Sequence, residues 1–172
     1  MRLILATLLI VVLTLRGIAM AEGFKIDDLQ GLDVDTSGYV GGETFSAGSK
    51  EPERLTVFCL DGCEDMVAID ILLGRSEDGT EGRYRSGETT IEQMEGLCKA
   101  NNPTCELDAA KIGNAVGWVT RYDLGTRAGS TTVLFRDGDQ LIIRSLAPDL
   151  ETAAANGRRA LETIGRRIVE GE

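Results

Sequence analysis

Histidine is missing from all 172 residues. Its absence removes the Ser-His-Asp and Cys-His nucleophile pairs, the imidazole ligands of zinc and copper, and histidine ligation of haem. Carboxylates, lysine, tyrosine and thiols are left for an enzyme, so catalysis is the alternative reading and a binding role the first one. Positive charge is also scarce: 18 Lys and Arg face 28 Asp and Glu, a formal net charge of -10. Such a surface repels nucleic-acid phosphates and anionic lipid head groups and favours a basic protein or a cation. We therefore expect a protein partner and no nucleic acid, although acidity also serves simply to keep an exported chain soluble. No motif that names a reaction is present. Long hydrophobic runs are confined to Leu3 to Leu15, which is short of the roughly 18 to 20 residues a spanning helix needs and is closed abruptly by Arg16.

That run is instead flanked as an export signal. Arg2 supplies a positive start, and Ala19-Met20-Ala21 has the small-x-small form that a signal peptidase cuts. The expectation is a cleavable signal peptide over 1–21, a mature chain beginning at Glu22 in the periplasm or outside the cell, and no membrane anchor after cleavage. No cysteine follows the cut, which argues against a lipid-modified N-terminus. Cleavage would remove Arg2 and Arg16 and no acid, leaving the chain more negative still. With 42% hydrophobic residues, the remainder has the composition of one folded domain.

The four cysteines of an exported chain read first as two disulfides. Spacing favours the local pairing of Cys59 with Cys63 and Cys98 with Cys105. Leu55 to Cys59 and Met66 to Leu73 are strand candidates. A three-residue loop with Gly62 in the left-handed conformation would set Cys59 directly across from Cys63. Leu55, Val57, Cys59, Cys63, Val67, Ile69 and Ile71 then share one apolar face, on which Asp65 is the exception. Cys98 falls on a helix expected over 90–99, where Thr89 and Glu92 make a capping-box pattern and Ile91, Met94 and Cys98 recur at helical spacing. Asn101, Asn102 and Pro103 stop that helix and return Cys105 toward Cys98. The alternative use of Cys59 and Cys63 is a redox or copper site. The CxxxC spacing resembles the thiol pair of Sco-family copper-chaperone domains, which also require a histidine.

Along the rest of the chain, 22–54 is an acidic, Gly-rich segment with an apolar thread of Phe24, Ile26, Leu29 and Leu32, and 55–172 carries the single α+β domain. Residues 74–88 have turn chemistry throughout and read as an exposed loop. There Arg75, Arg83, Tyr84 and Arg85 are candidates for a small cationic partner contact, unless they pair with neighbouring acids. Val116 to Tyr122 alternates as a half-buried strand, with Trp118, the only tryptophan, packing the sheet. STTVLFR and QLIIRSL flank Asp137-Gly138-Asp139 as a hairpin. Pro148 and Asp149 then open a final helix. One stripe of it carries Leu150, Ala153, Ala154, Gly157, Ala160, Leu161, Ile164 and Ile168, and Arg158, Glu162 and Arg166 line the other side. The predicted fold is α+β: an antiparallel sheet packed by two amphipathic helices, with two local disulfides.

The ending TTVLFRDGDQLIIRSLAPDLETAAANGRRALETI resembles the closing hairpin and helix of PsbP/Mog1-like sandwich domains, over about the last quarter of the chain. The resemblance implies a non-catalytic role as assembly factor, adaptor or chaperone, and no transferable site residue.

One stretch has metal-like spacing. Asp33, Asp35 and Ser37 fall on alternate residues, Gly38 takes the sharp turn, and Tyr39 offers its carbonyl, as in the first positions of an EF-hand loop. Thr44 stands where the bidentate carboxylate belongs, and Glu43 is one residue early. Weak calcium binding through Asp33, Asp35, Ser37, Tyr39 and Glu43 is the expectation to test against a plain acidic turn; no other cofactor is expected. The leading function is an exported binding or assembly-helper protein. The alternatives are a thiol- or carboxylate-based enzyme and a calcium module.

Overall fold

The computed structural model describes residues 22–63 and 66–171. The signal peptide expected over 1–21 and the inward position assigned to Asp65 lie outside the described residues. Seven strands form one antiparallel sheet: β1 (Thr44–Glu51), β2 (Arg54–Asp61), β3 (Ala68–Arg75), β4 (Glu106–Ile112), β5 (Ala115–Asp123), β6 (Ala128–Arg136) and β7 (Asp139–Ala147). Their order across the sheet is β1-β2-β3-β7-β6-β5-β4. Helices α1 (Thr80–Ser86) and α2 (Ile91–Asn101) bridge β3 to β4. A C-terminal helix runs from α3 (Leu150–Ala160) through a π turn (Leu161–Gly165) into α4 (Arg166–Glu170).

Alternation along the strands gives the sheet two unlike faces. The inner face carries Leu55, Val57, Ile69, Ile71, Leu134, Leu141 and Ile143, all buried with Ala160, Ile164, Ile168 and Val169 of the C-terminal helix. Gly157 lets α3 approach the sheet closely, since a Cβ there would lie 3.1 Å from Ser130 Oγ. The segment 22–54 contributes β1 to the sheet and buries Leu29 and Tyr39 in the same core. It crosses the C-terminal helix as a strap. The amides of Lys25 and Ile26 donate to Ile168 O, and the fully buried Asn156 pairs with both backbone groups of Val40 at 2.8 and 2.9 Å.

The β6–β7 turn is the expected Asp-Gly hairpin. Asp137 and Gly138 both have positive φ, 55° and 86°, and Arg136 pairs with Asp139 across it. In the β2–β3 hairpin Gly62 is left-handed, φ 70°, but the register differs from expectation. Leu55 lies opposite Ile71 and Val57 opposite Ile69, and the Cys59 amide donates to Val67 O. Cys63 is therefore beyond the ladder. The expected register set an acid, Asp65, across from Val57, whereas the observed one meets Leu55 and Val57 with isoleucine and needs no buried carboxylate. The displacement is even, so every apolar residue keeps its predicted face.

Three differences concern helices. The expected loop over 74–88 contains α1, bounded by left-handed Gly79 and Gly87, φ 77° and 76°. The capping box of α2 sits one residue later than predicted: Thr90 Oγ1 accepts from the Gln93 amide and Gln93 Oε1 from the Thr90 amide. Finally, α2 buries no residue. The expected pair of core-covering helices is thus replaced by three helical elements, of which the C-terminal one alone seals the inner face.

Candidate functional site

Both predicted cysteine pairs are bonded, with Cα separations of 6.3 Å for Cys59–Cys63 and 5.9 Å for Cys98–Cys105. The first closes the end of the β2–β3 hairpin. The second ties α2 to the start of β4.

The four residues predicted as a cationic contact are engaged within the chain. Arg75 pairs with Asp139, Arg83 donates to Asp78 O at 2.8 Å, and Arg85 pairs with Glu81 at 2.8 Å and donates to Asn114 O at 2.7 Å. Tyr84 donates to Gly117 O at 2.8 Å and packs on Trp118, which packs in turn on Phe135. Burial raises the Tyr84 hydroxyl pKa. Burial also pushes Glu81 upward, but the Gly138 amide, Arg85 and the Asp137 amide outweigh it and hold its carboxyl below the usual range. This cluster fastens α1 to the outer face of the sheet and to the β6–β7 turn.

The stretch predicted to bind calcium forms part of the strap. Asp35 accepts from the Ser37 amide at 2.9 Å and pairs with Arg159 at 2.9 Å. The Ser37 hydroxyl and amide, then Arg159, lower its pKa. Tyr39 turns into the core and packs on Phe45. Its hydroxyl has no hydrogen-bond partner among the described residues, and burial raises its pKa. Asp33 offers its carbonyl to Arg167, and Glu43 packs beside Gly62. Among the described residues no three of His, Cys, Asp and Glu come together as a metal-holding group.

The surface that stands out is one the sequence reading did not single out. Beyond α1, the outer face of the sheet is open over β2, β3 and β7. Phe58, Ala68, Leu146, Gly129 and Tyr122 are successive cross-strand neighbours and make one apolar row on that face. The row begins at an exposed cluster: Phe58, Leu60 and Met66 are 38%, 62% and 53% accessible, and alternation puts all three on the outer face. A polar row follows, in which Asp70 accepts from Arg54 at 3.0 Å and Thr56 at 2.7 Å. Between β1 and β2 a cleft of about 550 Å³ runs past Gly48, Thr56 and Phe58. Gly48 leaves it open, because nothing lies within 4 Å of where its Cβ would stand. Single exposed apolar residues are ordinary, but here three stand together on an uncovered sheet face at a cross-linked hairpin, which makes this patch the candidate contact surface.

The signal for this site was available as Phe58, Leu60 and Met66 alternating against Val57, Cys59 and Val67. Both sides of that alternation are hydrophobic, so the strand pattern alone does not say which face meets solvent. Among the described residues no helix is long and apolar enough to cross a membrane. No family model matches the chain, and no curated protein or solved structure shows significant similarity to it.

Proposed function

We propose that this is an exported, non-catalytic binding or assembly-helper protein that docks a basic partner protein on the open outer face of its sheet. The observation that carries the reading is the exposed cluster of Phe58, Leu60 and Met66 on the uncovered face. The cystine Cys59–Cys63 holds the end of the hairpin that presents it. Apolar anchors ringed by polar groups are the usual core of a protein contact. The net charge of -10 favours a basic partner and accelerates the encounter. The chemistry-bearing side chains are otherwise accounted for: the cysteines are in disulfides, and the arginines around Tyr84 fasten α1. Two disulfides suit an oxidising compartment, in keeping with the export signal expected over residues 1–21. The hairpin-then-helix ending that resembles PsbP/Mog1-like domains points to the same helper role.

The test is recovery of the partner by the full-length protein at low and moderate salt, compared with a Phe58→Ser/Leu60→Ser/Met66→Ser variant. The reading expects a stoichiometric partner that weakens as salt rises and is lost from the variant while its melting is unchanged. A partner retained by the variant, or recovery identical at both salts, contradicts it.

A further inference from the structure

The two edges of the sheet are guarded differently. Edge strand β4 carries Glu106, Asp108 and Lys111, and it begins beside the cystine Cys98–Cys105. Charge on an edge discourages a further strand from pairing there. Edge strand β1 carries neither charge nor proline from Thr44 to Ser49. Among the described residues it ends the sheet, with β2 as its one neighbouring strand. Alternate residues of β1 therefore turn both N–H and C=O away from the ladder, as a template on which another extended chain can pair. The strap meets this edge at its far end, where Gln30 donates to Lys50 O at 3.1 Å and the Leu29 amide to Pro52 O at 2.6 Å.

The cleft of about 550 Å³ lies along the same edge. Across the β1–β2 ladder Gly48 stands opposite Thr56 and Ser46 opposite Phe58, so the cleft shares its Phe58 wall with the exposed apolar cluster. Nothing lies within 4 Å of where a Gly48 Cβ would stand, which leaves room for an apolar side chain against Phe58. Acids flank this room. Glu43 and Asp61 are exposed beyond Thr44, and Glu51 and Glu53 are exposed at the other end, beside Lys50. Arg54, which also lines the cleft, is paired with Asp70 at 3.0 Å.

We propose, resting on the docking reading above, that the basic partner engages this edge through an extended segment that adds a strand beside β1. Its main chain bonds the free edge, one large apolar side chain seats over Gly48 against Phe58, and a Lys or Arg two residues to either side reaches toward the acids at the two ends. Main-chain bonds give strand addition its affinity, and a pocket for an alternate side chain gives it specificity. A second copy of this chain is the poorer occupant, because pairing β1 with β1 would bring together two chains that each carry a charge of -10.

The experiment titrates the full-length protein with the synthetic peptide Thr-Lys-Val-Phe-Val-Lys-Thr, blocked at both ends, and with the same peptide methylated on the amide nitrogens of its Val and Phe residues. The first is expected to bind saturably and one to one, and to slow amide exchange in β1 but not in β4. The methylated form keeps every side chain and charge but loses main-chain donors, and should bind at least tenfold more weakly. Gly48→Val, which fills the cleft without meeting another atom of the protein, should weaken the unmethylated peptide at least tenfold with unchanged melting. The methylated peptide on the wild-type protein keeps the inference falsifiable should Gly48→Val fail to fold. Absence of saturable binding at millimolar peptide overturns the inference, as does equal binding of the two peptides, or equal binding by wild type and Gly48→Val. Sedimentation showing a dimer of the wild type that Gly48→Val dissociates would assign the edge to a second copy and overturn it as well. If Gly48→Val recovers a cellular partner as well as the wild type does, while Phe58→Ser/Leu60→Ser/Met66→Ser loses it, strand addition fails and the docking face stands.

Discussion

Two residues show how little tolerance the sheet has at its close approaches. Gly117 on β5 is buried, and a Cβ there would run into the backbone carbonyl of Val133 on the neighbouring strand. Backbone cannot step aside as a side chain can. Gly117→Ala should therefore cost about 3 kcal/mol and lower the melting temperature by about 6 to 12 °C in a thermal scan; an unchanged melt contradicts this packing. Asn156 is the second case. Its amide replaces a strand partner for Val40, both donating to and accepting from the strap. Asn156→Ala leaves the Val40 amide and carbonyl unpaired, so the expected loss is about 2 to 3 kcal/mol. Hydrogen exchange should quicken over residues 33–41 before the sheet opens.

Neither role was legible beforehand, for different reasons. The Val116 to Tyr122 alternation correctly indicated a half-buried strand, but a glycine's neighbour across a sheet depends on register, which alternation leaves open. Asn156 sat between Ala155 and Gly157 of a correctly placed helix, yet it was not on the predicted stripe. The π turn resets the helix phase after Ala160 and adds Gly165 and Val169 to the buried side. A stripe drawn at a constant 100° per residue does not anticipate an inserted residue.

Elements with strong internal signals were read correctly and those held by their neighbours were not. The Asp137-Gly138 hairpin, both cystines and the C-terminal helix carry their signal in adjacent residues. The edge strands β1 and β4 do not. TFSAGSKE and ELDAAKI mix small and charged residues, as an edge with one partner allows. The short helix α1 contains Gly82 and buries nothing. It exists because Glu81 receives the amides of Asp137 and Gly138, at 3.1 and 2.9 Å, and because Tyr84 reaches Gly117. These are contacts between residues far apart in the chain.

The entry to α1 has a pH signature. Asp78 accepts from the Thr80 amide at 2.9 Å and from Ser76 Oγ at 2.9 Å. The Thr80 amide and hydroxyl, then Ser76, lower its pKa from 3.8 to about 2. A depressed carboxyl stabilises the fold fully above its unfolded pKa and ceases to as pH falls through the folded value. The turn before α1 should therefore loosen between about pH 4 and pH 2. NMR titration of the Asp78 carboxyl should give a midpoint near 2, and Asp78→Asn should remove this transition from the Thr80 amide. A midpoint near 3.8 contradicts the geometry.

At the next element, α2 buries no residue and depends on its cross-link. Replacing Cys98 and Cys105 together by serine should cost about 2 to 3 kcal/mol through the small loop they close. Amide exchange should rise selectively over Ile91–Asn101. Uniform exchange across the whole chain, or none, would mean that α2 is held some other way.

At the scale of the whole molecule, the sheet has one sealed face and one that is partly open. The inner face is closed by the C-terminal helix and by a strap that binds it through Asn156, Arg159 and Arg167. The outer face is covered toward β4 and β5 by α1 and α2, and it opens toward β2, where Phe58, Leu60 and Met66 stand in solvent. An antiparallel sheet tolerates one wet face when that face is polar. Here the end of the wet face carries an apolar row, and a net charge of -10 sets like-charged copies of the chain against one another across it.

Hydroxyl-radical footprinting of the protein, once purified and once in an extract of the cells that make it, tests this account most directly. The account predicts strong modification of Phe58, Leu60 and Met66 in the purified protein and their protection in the extract, with Val57, Ile69 and Ile71 unreactive in both. Equal reactivity of the three exposed residues in the two samples would contradict a partner on this face.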